Sequence, residues 1–150
     1  VYNGFCEVSP QTEIVLVHDG VRPFLSRRMI QESVDVAREY GAAITAIPVY
    51  DTIKRVDTFG LVSQTVDREG LWRVQTPQVF RYEILKEAFK KANSEKFYGT
   101  DEGTLIEHLG KPVKVVEGSE QNIKITRPED LRLSEIFISK GFPGNSFPLK

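Results

Sequence analysis

The sequence predicts an α/β fold with a parallel pair of strands, and two strand-like runs with a helix between them support that prediction. Residues 14–18 and 42–49 are short, apolar and rich in β-branched side chains, which is typical of buried strands. Between them, apolar residues recur at helical spacing from Ser26, the expected N-cap, to Gly41, the expected C-terminal glycine. A strand–helix–strand unit joins parallel strands by a right-handed crossover, so we expect the two strands to pair in parallel.

Length and composition are those of one globular domain. The chain has 150 residues, of which 40% are hydrophobic and 27% charged, and no apolar run is long enough to cross a membrane. A net charge of -1 argues against a general nucleic-acid binder, which would carry a basic face. The histidines His18 and His108 are far apart, so no zinc-site spacing is present. A single cysteine, Cys6, favours a reducing, cytoplasmic compartment.

Residues 51–80 lack a helical period and predict an exposed β-arm. Residues 53–56 and 61–66 alternate in polarity around a polar turn at residues 57–60, which is the pattern of a β-hairpin. We place the arm at about residues 51–72 and expect an extended segment to follow it.

Helices and short strands are predicted for the rest of the domain. They are a helix at about residues 81–92, a short helix capped by Thr100, strands at residues 113–116 and 122–126, and a last helix that ends near Lys140. Residues 1–140 would then form one domain, and the Pro/Gly-rich residues 141–150 a flexible tail.

Asp19 directly follows the first predicted strand and is the first candidate for a functional side chain. Ligands of open α/β sheets bind outside the carboxyl ends of the strands, and a carboxylate there can hold Mg²⁺ beside phosphate groups. A turn-forming aspartate before Gly20 is an equally good interpretation of this residue alone. Arg22 favours a metal–phosphate site, although Asp19 and Arg22 could instead form a structural ion pair.

Three further side chains could bind anions. Lys124 lies in the predicted strand at residues 122–126, opposite its two isoleucine neighbours, so it either faces solvent at a sheet edge or points into an anion site. Thr52 follows the second strand, and Arg68 lies in a polar turn after the arm. Each of these two is a candidate for phosphate binding, although a solvated surface is the default interpretation of both segments.

Five sequence blocks in order point to a known family. The chain carries, in sequence, VLVHDGVRPF, DTIKRV, TVDREGLWRVQTPQVF, TDEGTLIEHLG and EGSEQNIKITRPEDL. With these blocks it resembles the 2-C-methyl-D-erythritol 4-phosphate cytidylyltransferases over about residues 1–140. The resemblance implies a Rossmann-like nucleotidyltransferase fold of three layers, with a mixed, mostly parallel sheet. It also implies that a protruding β-arm pairs two subunits into a homodimer.

The resemblance implies a reaction and a role for each candidate residue. A cytidylyl group would pass from CTP to 2-C-methyl-D-erythritol 4-phosphate with release of pyrophosphate, in the synthesis of isoprenoid precursors. Mg²⁺ and basic side chains would neutralise the charge of the two substrates. By the same resemblance, Lys124 and Arg68 are catalytic, Asp19, Arg22 and Thr52 bind substrate, and Asp19 also lies at the metal. Arg68 would act across the dimer.

One family feature has no counterpart here, and two other hypotheses stay open. The family's opening glycine-rich loop, which binds the CTP triphosphate, is not found, so we expect the 150 residues alone not to turn over CTP. A ribitol 5-phosphate cytidylyltransferase shares the HD-x-x-RPF and QTPQ-F elements, but TVDREGLW, TDEG and NIKIT fit the methylerythritol enzyme better. The second alternative is a non-catalytic remnant that dimerises through its arm.

Overall fold

The computed structural model describes residues 1–139 and Gly141. The helices are α1 (Tyr2–Cys6), α2 (Arg27–Tyr40), α3 (Tyr82–Glu95), α4 (Glu102–His108) and α5 (Pro128–Ser139). The strands are β1 (Ile14–Val17), β2 (Ala42–Pro48), β3 (Ile53–Val56), β4 (Val62–Val66), β5 (Trp72–Arg81) and β6 (Lys114–Glu117). The expected tail lies outside the described residues except for Gly141, and the assignment of residues 1–140 to one domain stays a prediction.

The main sheet has four strands in the order β1-β5-β2-β6, and most of its pairings are antiparallel. β5 pairs antiparallel with both β1 and β2, whereas β2 pairs in parallel with β6. β1, β2 and β6 therefore run in one direction, as a βαβ unit requires, and β5 runs the opposite way between β1 and β2. The prediction of a mixed α/β sheet is confirmed, but a mostly parallel sheet and direct pairing of β1 with β2 are wrong.

A bulge in β5 accommodates a proline in the middle of the sheet. The register between β2 and β5 shifts so that Thr45 stands opposite residues 75–77 of β5. Pro77 has no N–H to donate to a ladder, and a bulge is where a sheet tolerates proline. The bulge also frees Gln75 and Thr76 for hydrogen bonds with loops beyond the sheet.

Helices cover both faces of the sheet because successive strand residues point to opposite sides. On one face Phe80 packs with Leu85 of α3 and Ile106 of α4. On the other face Val79 packs with Ala37 of α2. The three-layer arrangement is therefore confirmed. In the part of the chain that the model describes, no helix combines the length and apolar character that a membrane span needs.

The ends of α2 are as predicted, whereas the cap of α4 is shifted by one residue. Ser26 accepts a hydrogen bond from the first turn of α2 at 3.2 Å, and Gly41 takes the left-handed φ of 96° that suits glycine. At α4 the side chain of Asp101, and not of Thr100, accepts a hydrogen bond from the Thr104 N–H at 2.8 Å. A carboxylate is the stronger acceptor at a helix N-terminus, where the dipole favours negative charge.

β3 and β4 form a separate two-stranded sheet, which is the predicted hairpin. Asp57 organises its turn, because Oδ1 accepts hydrogen bonds from the N–H groups of Phe59 and Leu61 at 2.9 Å each. The side chains at the tip face solvent, since Phe59 is 87% and Leu61 67% exposed. The hairpin therefore presents apolar surface, which is unusual for an isolated solvated turn.

Residues 122–126 do not form the predicted strand. The Ile125 N–H donates to the Val21 carbonyl oxygen at 2.8 Å, which ties the segment to the loop after β1. The predicted alternation is present, since Lys124 is exposed between two half-buried isoleucines. A segment that crosses a loop can produce the same alternation as a strand, and this is why the pattern predicted the wrong element.

Candidate active site

The loop that follows β1 is shaped by hydrogen bonds to the β5 bulge. Thr76 Oγ1 accepts a hydrogen bond from the Asp19 N–H at 3.0 Å and lies 2.9 Å from His18 Nδ1. His18 Nε2 lies 3.0 Å from the Arg22 carbonyl oxygen. Since the Asp19 N–H can only donate, the Thr76 hydroxyl is free to donate to Nδ1 while Nε2–H donates to the carbonyl. His18 thus closes the loop, and Asp19 is held at the carboxyl end of β1.

Asp19 holds two cations on one carboxylate oxygen. Arg22 Nε lies 3.1 Å and Lys124 Nζ 3.2 Å from Asp19 Oδ2. Burial alone would raise the pKa of Asp19, but the hydrogen bonds and charges of Arg22 and Lys124 outweigh it and keep that pKa below its ordinary value. The three groups together carry a charge of about +1 at neutral pH. Because the Lys124 side chain is 47% exposed, its ammonium can donate to a ligand as well.

Lys124 reaches Asp19 because its segment is tied to the same loop and to the bulge. Asn122 Nδ2 donates to the Thr76 carbonyl oxygen at 2.8 Å, and Arg22 Nη1 donates to the Asn122 carbonyl oxygen at 2.7 Å. Three of the five predicted site residues, Asp19, Arg22 and Lys124, are therefore brought together from distant parts of the chain.

The three charged side chains line an open cleft of about 870 Å³. One wall consists of the end of β1 and the β5 bulge, and the other of residues 96–102, which connect α3 to α4. Tyr98 stands at this second wall and is 90% exposed. A cleft of this size is in the usual range for small-molecule sites, and cations at one end suit a phosphorylated ligand.

The second wall carries two acidic residues with opposite pKa shifts, and the sequence did not single out either. Burial favours a higher pKa for Asp101, but hydrogen bonds from Thr104 and Gln78 outweigh it and lower that pKa. Burial raises the pKa of its neighbour Glu102, and the negative charges of Asp101 and Asp19 add to the shift. In a sequence, two acidic residues before an apolar run are typical of the start of a helix. That they line the cleft depends on the tertiary structure, which the sequence pattern does not show.

The N-terminus of α4 is fixed to the sheet by a buried glutamine. Gln78 Nε2 donates to Asp101 Oδ2 at 2.8 Å, and Gln78 Oε1 accepts from the Gly103 N–H at 3.0 Å. Gln78 therefore holds the acidic wall at a set distance from β5, next to the bulge that holds Asp19.

Thr52 and Arg68, the other two predicted site residues, are not among the described residues that line this cleft. Both are exposed at the base of the arm, where Thr52 precedes β3 and Arg68 follows β4. The Arg68 guanidinium donates to the Tyr50 carbonyl oxygen, which keeps it at that base. The role of Thr52 in substrate binding and the role of Arg68 across a subunit interface stay predictions.

Asp19 fits a metal ion that is held mainly by substrate phosphates. Over the described residues, no group of three or more His, Cys, Asp or Glu side chains could hold a metal ion. Mg²⁺ commonly keeps one or two carboxylates and takes its remaining ligands from phosphates and water. Since Arg22 and Lys124 both contact Oδ2, the other oxygen of Asp19 suits such a role.

Comparisons with known proteins identify the family of the chain. The family model described as 2-C-methyl-D-erythritol 4-phosphate cytidylyltransferase matches residues 1–140. A protein of that name from Syntrophus aciditrophicus is 49% identical over 93% of this chain and 60% of its own length. One from Pelotomaculum thermopropionicum is 51% identical over 92% of this chain and 58% of its own length. The crystal structure of the Thermus thermophilus protein of that name has a TM-score of 0.84 and 36% identity, and covers 92% of this chain and 66% of that one.

The matches favour one of the three hypotheses from the sequence. The relatives share one name, and at about half identity they favour the methylerythritol hypothesis over the ribitol and non-catalytic ones. The chain spans about 60% of the length of these relatives. The match to the family model over residues 1–140, together with these relatives, shows that the chain belongs to the family of 2-C-methyl-D-erythritol 4-phosphate cytidylyltransferases.

Proposed function

We propose that the full-length protein transfers a cytidylyl group from CTP to 2-C-methyl-D-erythritol 4-phosphate and releases pyrophosphate, in the synthesis of isoprenoid precursors. The observation that supports this most directly is the cluster of Asp19, Arg22 and Lys124 at a strand end, in the cleft of a chain from this family. Both substrates are anionic, and converging cations in a cleft are what their phosphates need.

The reaction is an in-line displacement at the α-phosphorus of CTP. A phosphate oxygen of the acceptor forms the new P–O bond while the bond to pyrophosphate breaks, and negative charge builds on the α-phosphoryl oxygens. Lys124 donates hydrogen bonds to these oxygens, and Arg22 binds the acceptor phosphate. Asp19 keeps both cations oriented toward the cleft. Thr52 and Arg68 of the partner subunit bind the acceptor from the other side.

Magnesium is the metal that we propose for this site. The family is one of cytidylyltransferases, a class that uses a divalent metal ion. Asp19 is the residue of this chain that would hold Mg²⁺, and the ion when bound neutralises charge on the CTP phosphates.

A homodimer through the β-arm is part of the proposal. The arm exposes apolar side chains, among them Phe59, Leu61 and Val62, which a second copy of the arm would cover. Arg68 lies at the base of the same arm, so the interface would place it beside the partner's cleft. Nucleic acid is not proposed as a partner, given the net charge of -1.

A cytoplasmic location is proposed with this activity. Cys6 is free and exposed, which is typical of proteins in a reducing compartment.

Pyrophosphate release by the full-length protein tests the proposed activity. With CTP and Mg²⁺ we expect turnover of 2-C-methyl-D-erythritol 4-phosphate at a kcat/KM at least about a hundredfold above that for ribitol 5-phosphate. A preference for ribitol 5-phosphate would establish the alternative substrate, and no release with either would favour the non-catalytic hypothesis. The expectation that the 150 residues alone release no pyrophosphate stays a prediction.

A further inference from the structure

Asn122 lies at the junction between the two parts of the chain that supply the cation cluster. Its side chain is fully buried, and Nδ2 donates to the Thr76 carbonyl oxygen at 2.8 Å. Its own carbonyl oxygen accepts from Arg22 Nη1 at 2.7 Å. Thr76 and Arg22 are the same residues that hold Asp19, through its N–H and through Oδ2. Asn122 is therefore tied to Asp19 by two separate routes.

Lys124 depends on that junction for its position. It is two residues beyond Asn122, in a segment that pairs with no strand among the described residues, and there the Ile125 N–H bond to Val21 is the next backbone hydrogen bond along the chain. A lysine side chain is long and flexible, so its ammonium finds Asp19 Oδ2 only while its backbone stays in this register.

The asparagine at this place makes a specific hydrogen bond and leaves one buried polar atom unpaired in the described part of the chain. Among the described residues, Asn122 Oδ1 is a buried polar atom without a hydrogen-bond partner. An unpaired buried acceptor is costly, and an apolar side chain of similar size would avoid that cost. An apolar side chain, however, could not donate a hydrogen bond to the Thr76 carbonyl oxygen.

A second side chain supports the same junction from the bulge. Gln75 is buried, and its Nε2 donates to the Ser119 carbonyl oxygen at 2.8 Å. Its Oε1 accepts from Asn122 Nδ2 at 3.3 Å. Gly118 leaves the room for this amide, because a Cβ there would lie 2.3 Å from Gln75 Oε1.

We propose that Asn122 is a positioning residue, which acts through Thr76 and Arg22 to hold Lys124 against Asp19 and so within reach of the substrate phosphates. The proposal rests on the proposed function for its chemical meaning, while its positional part can be measured without any turnover. Asn122 itself is not expected to contact the reacting atoms.

Amide hydrogen exchange in the full-length protein tests the positional part. In Asn122→Ala we expect the Ile125 amide to exchange at least about tenfold faster than in the wild type, while the amides of β5 next to Phe80 keep their rates. Ser134→Ala is the matched control, because it also removes a buried side-chain donor, which bonds the Leu131 carbonyl oxygen at 2.6 Å inside α5, and Ser134 is not among the described residues that line the cleft. Unchanged exchange at Ile125 in Asn122→Ala would overturn the proposal.

Steady-state kinetics of the full-length protein test the chemical part. We expect Asn122→Ala to lower kcat by about tenfold relative to the wild type. Lys124→Ala should lower kcat by more than that. If Asn122 acts through Lys124, the double variant should have a kcat within about twofold of that of Lys124→Ala alone. A full tenfold additional loss in that background would show that Asn122 acts by another route, and the proposal would fail.

A milder variant keeps the test decisive if Asn122→Ala does not fold. Gly118→Ala leaves Asn122 in place but displaces the Gln75 amide that supports it, so we expect a smaller change of the same kind in both measurements. Faster exchange at Ile125 without any loss of kcat would refute the link between position and turnover. If the wild type itself shows no pyrophosphate release, the proposed function fails, and the exchange data still decide whether Asn122 holds the segment.

Discussion

Two cations share one oxygen of Asp19, and this arrangement explains why three charged side chains can sit together at a half-buried strand end. Arg22 and Lys124 offset the burial of the carboxylate, and the carboxylate in turn keeps two positive groups from repelling each other. An incoming phosphate would add negative charge to a cluster that carries an excess of positive charge. The structural ion pair is therefore present, and its excess positive charge suits the proposed anion site, so the two interpretations of the sequence are compatible.

Lys124 is expected to matter for turnover far more than for folding. In the full-length protein, Lys124→Ala should lower kcat by about a hundredfold or more, because the donor that meets the developing charge is lost. The melting temperature should change little, since the side chain is 47% exposed and its ion pair is worth little in water. Pyrophosphate release and thermal melting measure the two effects.

Lys86→Ala is the control for this variant, because Lys86 also pairs with a carboxylate, that of Glu83, at 3.5 Å on the surface of α3. It should leave kcat unchanged. A Lys124→Ala protein with near-normal kcat would remove Lys124 from the mechanism.

The raised pKa of Glu102 predicts that the contribution of this residue to the stability of the folded protein falls as pH rises. Its pKa is raised in the folded protein, by burial first, so between the ordinary value near 4.5 and the raised one the folded state binds more protons than the unfolded state. Its contribution to stability is therefore present at low pH and lost as pH rises through the folded pKa. Glu102→Gln cannot ionise and should gain stability relative to the wild type as pH rises from about 4 to 8.

Urea unfolding at a series of pH values measures that difference. Glu107→Gln, at an exposed position on the same helix, is the control for the removal of one negative charge, and only the trend that Glu102→Gln shows beyond this control counts. A difference between Glu102→Gln and the wild type that does not depend on pH would contradict the prediction.

The charged residues of the site could be predicted from the sequence, whereas the residues that hold them could not. Asp19, Arg22 and Lys124 stand out because charges beside apolar strand-like runs are unusual, and the fold does bring them together. Thr76 and Asn122 give no such signal, because an uncharged threonine or asparagine in an extended segment is ordinary. Their role comes from hydrogen bonds between segments about 46 residues apart in sequence, which no local pattern records.

At the scale of elements, the start of α4 shows how a cap can be misplaced by one residue. Thr100 and Asp101 are both good cap residues, and the sequence alone does not separate them. In the structure Asp101 receives both the Thr104 N–H and a hydrogen bond from Gln78, so the cap also anchors the helix to β5. Gln78, a buried residue of β5, therefore decides which of the two residues caps the helix.

Asp101→Ala is therefore expected to destabilise the full-length protein by about 1 kcal/mol or somewhat more, the usual range for losing a helix cap. Gln78 would also lose a buried acceptor. Thr100→Ala should change stability by less than about 0.5 kcal/mol, as surface substitutions do. Urea unfolding of the two variants gives the comparison, and a larger loss for Thr100→Ala would show that the cap was correctly predicted from the sequence.

At the scale of the whole molecule, strand order was the part of the fold that local patterns could not supply. The segment that becomes β5 was correctly expected to be extended, but its neighbours in the sheet were not predictable. A βαβ unit sets the direction of β1 and β2 without requiring that they touch. β5 lies between them and contributes one apolar residue to each core, with Val79 packing toward α2 and Phe80 toward α3.

The proposed composite site makes a prediction about pairs of subunits. Arg68 lies at the arm base and outside the cleft that holds Lys124, so each site would combine the cleft of one subunit with the arm of the other. Arg68→Ala and Lys124→Ala homodimers should both be nearly inactive. A heterodimer of the two variants would contain one site with both residues intact, so we expect about half of the wild-type kcat per dimer.

Coexpression with two different affinity tags, purification of the heterodimer and assay of pyrophosphate release carry out this test. A heterodimer of Asp19→Ala with Lys124→Ala is the matched control, because Lys124 Nζ lies 3.2 Å from Asp19 Oδ2 within one chain. Each of its clefts lacks one partner of that ion pair, so no activity should return. If the Arg68→Ala and Lys124→Ala heterodimer is equally inactive, Arg68 acts within its own subunit. If activity returns in the Arg68→Ala and Lys124→Ala heterodimer but not in the control heterodimer, the active site is shared between two copies of the chain.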